Sequence, residues 1–328
     1  MSVKIVTDSS SDIPPAIARE LDITVVPLSV RFGAQTYRDG IDIMPEEFYR
    51  RLVEEHVHPG TAAVSPGDFA GVYDKLAADA GGIISIHLSQ KVSATYNAAV
   101  QGRSLMENKA CAVEIIDSRF VTIALGLITI AAARAARAGK GMQEIVAQVN
   151  ALIPCMRVYG ILDTLKYVMK GGRLGKAGPI ISSILPVKPV LTMKDGTVAP
   201  IGAARTRIKA IERLCGLIAS VPMVQELGIA HSIGEEELNC FVEKIKSFLP
   251  GVNPVISKLG PALGVHGGPG SILVGIQQDI QAAAAAIESR EHKIPLSLPS
   301  LQSIKDGLLR RGKEEAGRPF VLRCDGTM

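Results

Sequence analysis

Apolar positions along this chain follow two rhythms, and the switches between them mark out its elements. Short runs at 4–7, 23–30, 82–87 and 113–117 are rich in Val and Ile and bounded by turn residues, which predicts strands. Between and after them, residues 14–21, 45–55, 68–78, 94–106, about 121–138 and 143–152 carry apolar residues at helical spacing. Strands alternating with helices predict a largely parallel sheet covered on both faces. In such sheets ligands bind at loops on the carboxyl ends of the strands.

The rhythm changes after about Cys155. Short strands are expected at 157–162, 188–193, 197–203, 227–232 and 270–276, with a hairpin turn at Lys194-Asp195-Gly196 and helices at 206–220 and 235–248. The expectation is an α/β protein of two domains: an N-terminal parallel-sheet domain over 1–155 and a smaller α/β domain over 156–288. Residues 289–328 read as a tail, peripheral or disordered, with one short helix at 301–311.

Composition narrows the classes. The 328 residues are 47% hydrophobic and 21% charged, enough for a sizeable core. Aromatics are 4% with no Trp, the net charge is only +4, and no Lys/Arg block occurs, so no nucleic-acid partner is expected. The five cysteines are widely spaced with no C-x-x-C, which suggests inert thiols in a reducing compartment and no zinc site. The N-terminus lacks a secretory pattern. The longest apolar run, VTIALGLITIAAA at 121–133, falls short of the roughly 20 residues that span a bilayer. A cytoplasmic location without stable membrane insertion is expected.

Candidate chemistry lies in the loops. TDSSSDIPP, after the first strand, admits three readings. Asp8, Ser10 and Asp12 offer oxygen ligands for a divalent metal. Asp8 sits where a phosphoryl acceptor would, so Asp8 and Asp12 suggest a metal-dependent phosphotransferase or hydrolase. The third reading is structural, with Asp12 or a serine capping a helix entered through Pro14 and Pro15. In PGTAAVSPGDF, Ser65 and Pro66 start a helix and leave Thr61 without a local role. In SQKVSATYNAA, Ser93 begins a helix, either as a plain cap or as part of an anion site built on free N–H groups. LGPALGVHGGPG places His266 in a glycine-rich loop. LDTLKYVMKGGRLGKAG and AARTRIKA bring Lys170, Arg173, Lys176, Arg205, Arg207 and Lys209, which form either solvated faces or a basic surface. There is no G-x-S-x-G elbow, H-E-x-x-H or nucleotide loop. Hydroxyls, glycines, one His and a basic rim suit anion binding better than hydrolysis, and a module for another small anion stays open.

Taken in order, TDSSSDIP, TAAVSPGDF, SQKVSATYNAA, IDSRFVTIALGL, LKYVMKGGRLGKAG, ILPVKPVL and GVHGGPG resemble the DegV family of bacterial fatty-acid-binding proteins over about residues 3–280. The resemblance implies two α/β domains with a lipid tunnel between them, and no cofactor. It implies that Thr61 and Ser93 grip a long-chain fatty-acid carboxylate, with His266 at the same polar end. Asp8, Ser9, Ala94 and Thr95 would belong to a secondary part of the pocket. It further implies a carrier that does no chemistry itself and presents its ligand to a separate fatty acid kinase, which makes the acyl phosphate for phospholipid synthesis. Lys170, Arg173, Arg205 and Arg207 would form the docking rim for that partner. The chain departs from the family pattern at Ala62, Ala94, Lys170 and Gly267.

Overall fold

A computed structural model describes residues 2–55, 58–174 and 187–279. Four runs become a parallel sheet: β1 (Val3–Asp8), β2 (Ile23–Val26), β6 (Gly82–His87) and β7 (Val113–Asp117), in the order β2-β1-β6-β7. The single strand expected at 23–30 is interrupted at Pro27-Leu28, and its second half becomes β3 (Ser29–Phe32) in another sheet. Proline has no N–H for the ladder. The Leu28 N–H leaves the ladder as well, donating to Ser9 Oγ at 3.0 Å. β3 sits between β4 (Gln35–Arg38) and β5 (Gly60–Ala62), two short strands whose sequences carry too little apolar pattern to announce them. Helices α1 (Pro15–Glu20), α2 (Pro45–Glu54), α3 (Pro66–Ala77), α4 (Thr95–Leu105), α5 (Thr122–Arg137) and α6 (Met142–Leu152) fall within two residues of expectation at each end.

The remaining strands form one six-stranded sheet in the order β10-β9-β8-β13-β11-β12. They are β8 (Met156–Ile161), β9 (Lys188–Lys194), β10 (Thr197–Ala204), β11 (Val224–His231), β12 (Val255–Lys258) and β13 (Ile272–Gln278). The β9–β10 turn places Asp195 at φ 50° and Gly196 at φ 78°, the left-handed pair that a two-residue hairpin requires. Helices α7 (Lys166–Lys170), α8 (Arg207–Ala219), α9 (Glu235–Phe248) and α10 (Pro261–Gly267) complete the described α-helices. The chain passes from one sheet to the other at Met156.

The apolar helix α5 explains its own composition. It packs on β1 of the parallel sheet and on β11 and β13 of the mixed sheet, and it buries Ile123, Leu125, Leu127, Ile128 and Ile130 completely. A helix covered on opposite faces has no need of a polar stripe. Close approach to the mixed sheet is made possible by Gly275, where a Cβ would come within 2.8 Å of the Ala124 backbone nitrogen. No helix among the described residues is long and apolar enough to cross a membrane.

Among the described residues Cys155 and Cys215 are buried free thiols and Cys111 is a partly exposed free thiol. The tail expected at 289–328 and Lys176 lie outside the described residues.

Candidate functional site

An apolar cavity of about 130 Å³ lies among α10, the strand-end loops of the parallel sheet and the mixed sheet. Leu28 and Leu88 contribute from the first sheet's loops, and Val158, Leu191 and Leu273 from the second sheet. Thr61, Ser93 and His266 all line it, although 205 residues of chain separate the first from the last.

Each of these side chains is placed by its own element. Thr61 is the middle residue of β5, paired with Val30 of β3. Ser93 follows β6 and precedes α4; its Oγ accepts the Thr95 N–H at 3.3 Å and lies 3.0 Å from Thr95 Oγ1. The N-cap of α4 is Ala94, without a side-chain cap, so Ser93 is not the plain cap expected; it bonds to the first helical amide from one residue outside while lining the cavity. The Ser93 loop is tied at two more points. Leu88 N–H donates to Asp8 Oδ2 at 3.1 Å, and Ser89 Oγ donates to the Gly196 carbonyl at 2.7 Å.

His266 lies in a short helix, α10, and not in the loop expected from its glycines. Pro261 starts that helix, where its missing N–H costs nothing. His266 Nε2 is 3.4 Å from Thr61 Oγ1, and its buried Nδ1 has no hydrogen-bond partner among the described residues. Burial, reinforced by Arg173 and His58, pushes the imidazole down from 6.5 to about 4, so it is neutral near pH 7. Its ring packs against Gly171 at the end of α7, where a Cβ would overlap the imidazole. Arg173, exposed at the rim, donates from Nε to the Val92 carbonyl at 3.5 Å and from Nη1 to the Gly171 carbonyl at 2.5 Å. Thr61, His266, Gly171, Arg173, Val92 and Ser93 thus form one continuous polar border to an otherwise apolar space.

The other sequence candidates separate from this border. Asp8 is fully buried: Oδ1 takes Ser10 N–H at 3.1 Å and Ser10 Oγ at 2.5 Å, while Oδ2 lies 2.9 Å from His87 Nδ1. Both oxygens are occupied, which leaves Asp8 no free lone pair for attack or for a metal. Asp12 does not cap α1, which has no side-chain cap; it bonds to Thr122 and Gly260. Ser9 donates to Asp39 Oδ2 at 2.7 Å. Asp8, Ser9, Ala94 and Thr95 are absent from the cavity lining. Among the described residues no group of three His, Cys, Asp or Glu side chains is arranged to hold a metal ion. Lys170 is exposed at the end of α7. Arg205 is exposed as well. Arg207 is bound internally, to Glu237 at 2.8 Å and to the Gly270 carbonyl at 2.5 Å, so it is not a free rim cation.

Sequence reasoning missed a buried chain of polar groups running from Asp8 through His87 to Ser85 and Tyr73. His87 Nε2 lies 2.7 Å from Ser85 Oγ, which accepts from Tyr73 Oη at 2.9 Å. The available signal was the two-residue spacing of Ser85 and His87, which puts both on one face of β6. The order Asp–His–Ser matches a hydrolytic triad, but Ser85 and His87 are fully buried and do not line the cavity. The chain ties β1 to β6 behind the Ser93 loop.

Fold and border together define an α/β protein of three sheets with an oily cavity rimmed by hydroxyls and one neutral imidazole. The chain belongs to the DegV family: residues 2–279 match the family described as "Uncharacterised protein, DegV family". It is 37% identical over 270 residues to a DegV domain-containing protein of Caldanaerobacter subterraneus subsp. tengcongensis, covering 81% of this chain and 95% of that one. Among solved structures it is similar to DegV of Bacillus subtilis, described as a fatty acid binding protein, with TM-score 0.78 and 29% identity over 85% of this chain and 100% of that one. It is likewise similar to a stearic acid-binding protein of Eubacterium ventriosum, with TM-score 0.79 and 26% identity over 85% of this chain and 99% of that one.

Proposed function

We propose that this protein binds one long-chain fatty acid, with the acyl tail in the apolar cavity, the carboxylate held by Thr61 and Ser93, and His266 at the same polar end ordering the Thr61 hydroxyl. The observation that carries the reading is that these three residues, from three distant segments, line the same cavity. Physical chemistry favours the pairing. Burying an alkyl chain gains about 0.8 kcal/mol per methylene, so about a dozen methylenes supply the greater part of the affinity. An ionised carboxylate does not enter such a space unpaired. Hydroxyl donors satisfy it here: with the proton on Nε2, His266 donates to Thr61 Oγ1, and the Thr61 hydroxyl hydrogen turns into the cavity. Ser93 supplies a second donor.

The ligand oxygens are held by neutral groups, without a tight ion pair, and so stay nucleophilic. This supports the further reading that a separate fatty acid kinase phosphorylates the bound acid, and that the carrier itself has no catalytic role. Arg173 and Lys170, at the exposed border, are the cations offered to that partner. The site belongs to a protein working in the cytoplasm.

Extraction of the purified protein followed by mass spectrometry is expected to yield about one fatty acid per chain. Ser93→Ala and Thr61→Ala each lower retention tenfold or more, the loss of a hydrogen bond to a charged group being worth about 1.5–3 kcal/mol, and His266→Ala lowers it by leaving the Thr61 hydroxyl unordered. Three variants that retain lipid like the wild type would overturn the assignment.

A further inference from the structure

His266 can serve the site only if α10 is held still, and what holds it comes from the other end of the sequence. Asp12 Oδ1 accepts the Gly260 N–H at 2.9 Å, across 248 residues of chain. Asp39 lies beside the same turn, where the Ala262 amide, which no helical carbonyl reaches, is near enough to favour its ionised form. Both acids are buried, at 7% and 4% exposure, and both face Gly260, where a Cβ would stand 3.0 Å from Asp12 Oδ1 and 3.5 Å from Asp39 Oδ1. Neither has a cation partner among the described ion pairs.

Each carboxyl is itself fixed from behind. Thr122 Oγ1 donates to Asp12 Oδ2 at 2.6 Å, and Ser9 Oγ donates to Asp39 Oδ2 at 2.7 Å. Thr122 makes its bond from φ 55°, a left-handed conformation that β-branched residues rarely adopt. Strain of this kind persists only where the surroundings impose it. Asp12 and Asp39 line a separate open groove and are absent from the cavity wall, so neither meets a ligand there.

We propose that Asp12 and Asp39 are positioning residues for the head-group end of the cavity: they clamp the first turn of α10 and thereby hold His266 against Thr61. The proposal rests on the fatty-acid reading for its functional consequence, but the placement of His266 can be measured apart from any ligand. Burial raises the Asp12 and Asp39 carboxyls to about 8 and about 7, so near pH 7 Asp12 is mostly protonated and Asp39 partly so, which lessens the need for a counter-ion.

Full-length Asp12→Ala, Asp39→Ala, Asp12→Asn and Asp39→Asn are compared with the wild type using palmitic acid and hexadecanol as paired probes. The Ala variants are expected to lose at least tenfold of the preference for acid over alcohol, while alcohol binding moves less than threefold. The Asn variants, which keep an acceptor for the amides, recover most of the preference. The His266 imidazole, followed by NMR, titrates near 4 in the wild type and moves up toward 6.5 in the Ala variants. Should either Ala variant fail to fold, Thr122→Val and Ser9→Ala loosen the same carboxyls and are expected to shift His266 in the same direction. Folded variants in which His266 titrates as in the wild type overturn the clamp. Wild type that binds neither probe overturns the fatty-acid reading while the His266 titration still decides the clamp.

Discussion

His266 shows how one side chain sets the chemistry of the site. A charged imidazole would neutralise a carboxylate by a tight ion pair, whereas the neutral ring found here only orders the Thr61 hydroxyl. The depression from 6.5 to about 4 also has a thermodynamic sign. Between those values the unfolded chain binds a proton that the folded chain refuses, so this residue's contribution to stability rises with pH from about 4 to 6.5 and is level above. Asp12 and Asp39 act oppositely: the folded chain retains protons that the unfolded chain has released, so their contributions fall as pH climbs to about 8 and about 7, respectively. Thermal denaturation of wild type and His266→Gln across pH 4–8 isolates the first effect. The Tm difference is expected to change in favour of the wild type up to pH 6.5 and then stay constant; a difference independent of pH would refute it.

At the scale of elements, the loop between α7 and the basic rim acts through a missing side chain. Gly171 touches the imidazole face to backbone, so Gly171→Ala is expected to displace His266 and destabilise the protein by about 1–3 kcal/mol, the usual range for forcing a methyl into a packed site. Chemical denaturation with a lipid-retention assay checks it, and unchanged retention would argue against this contact. The elements themselves were largely legible from sequence. Long periodic helices and β-branched strands declare their type locally, and Ser65 declared the start of α3, which it caps through the Asp68 N–H at 3.1 Å. What escaped was decided by distant partners. β4, β5 and β12 exist because a neighbouring strand recruits them, and α10 because Pro261 and two acids from far upstream stabilise its first turn. Thr61, Ser93 and His266 were named from their loops and the family resemblance, and the structure brings them to one cavity. Asp39 and Thr122 carry no local pattern that separates them from ordinary polar positions, and the Ser85–His87 pair offered only its two-residue spacing. Arg207 looked like a free surface cation until Glu237 came beside it.

For the whole molecule, the governing feature is the helix shared between the two sheets. Because α5 fills the space between them, neither sheet retains a complete core without it. The described chain is expected to unfold in a single cooperative step, with calorimetric and van't Hoff enthalpies in agreement. Two resolved transitions would mean that the sheets melt independently. Hydrogen exchange offers a second measure, since the amides of Ile123 to Ile130 are expected in the slowest class, opening only with global unfolding.

A greasy rod gripped from both sides also limits how cargo gets in. Swinging the halves apart would wet buried aliphatic side chains all along α5 at once, a large penalty for admitting a single acyl tail. Loading must therefore proceed by a small local parting at the hydroxyl-rimmed mouth, where short helices and loops yield while the spine of the protein stays shut.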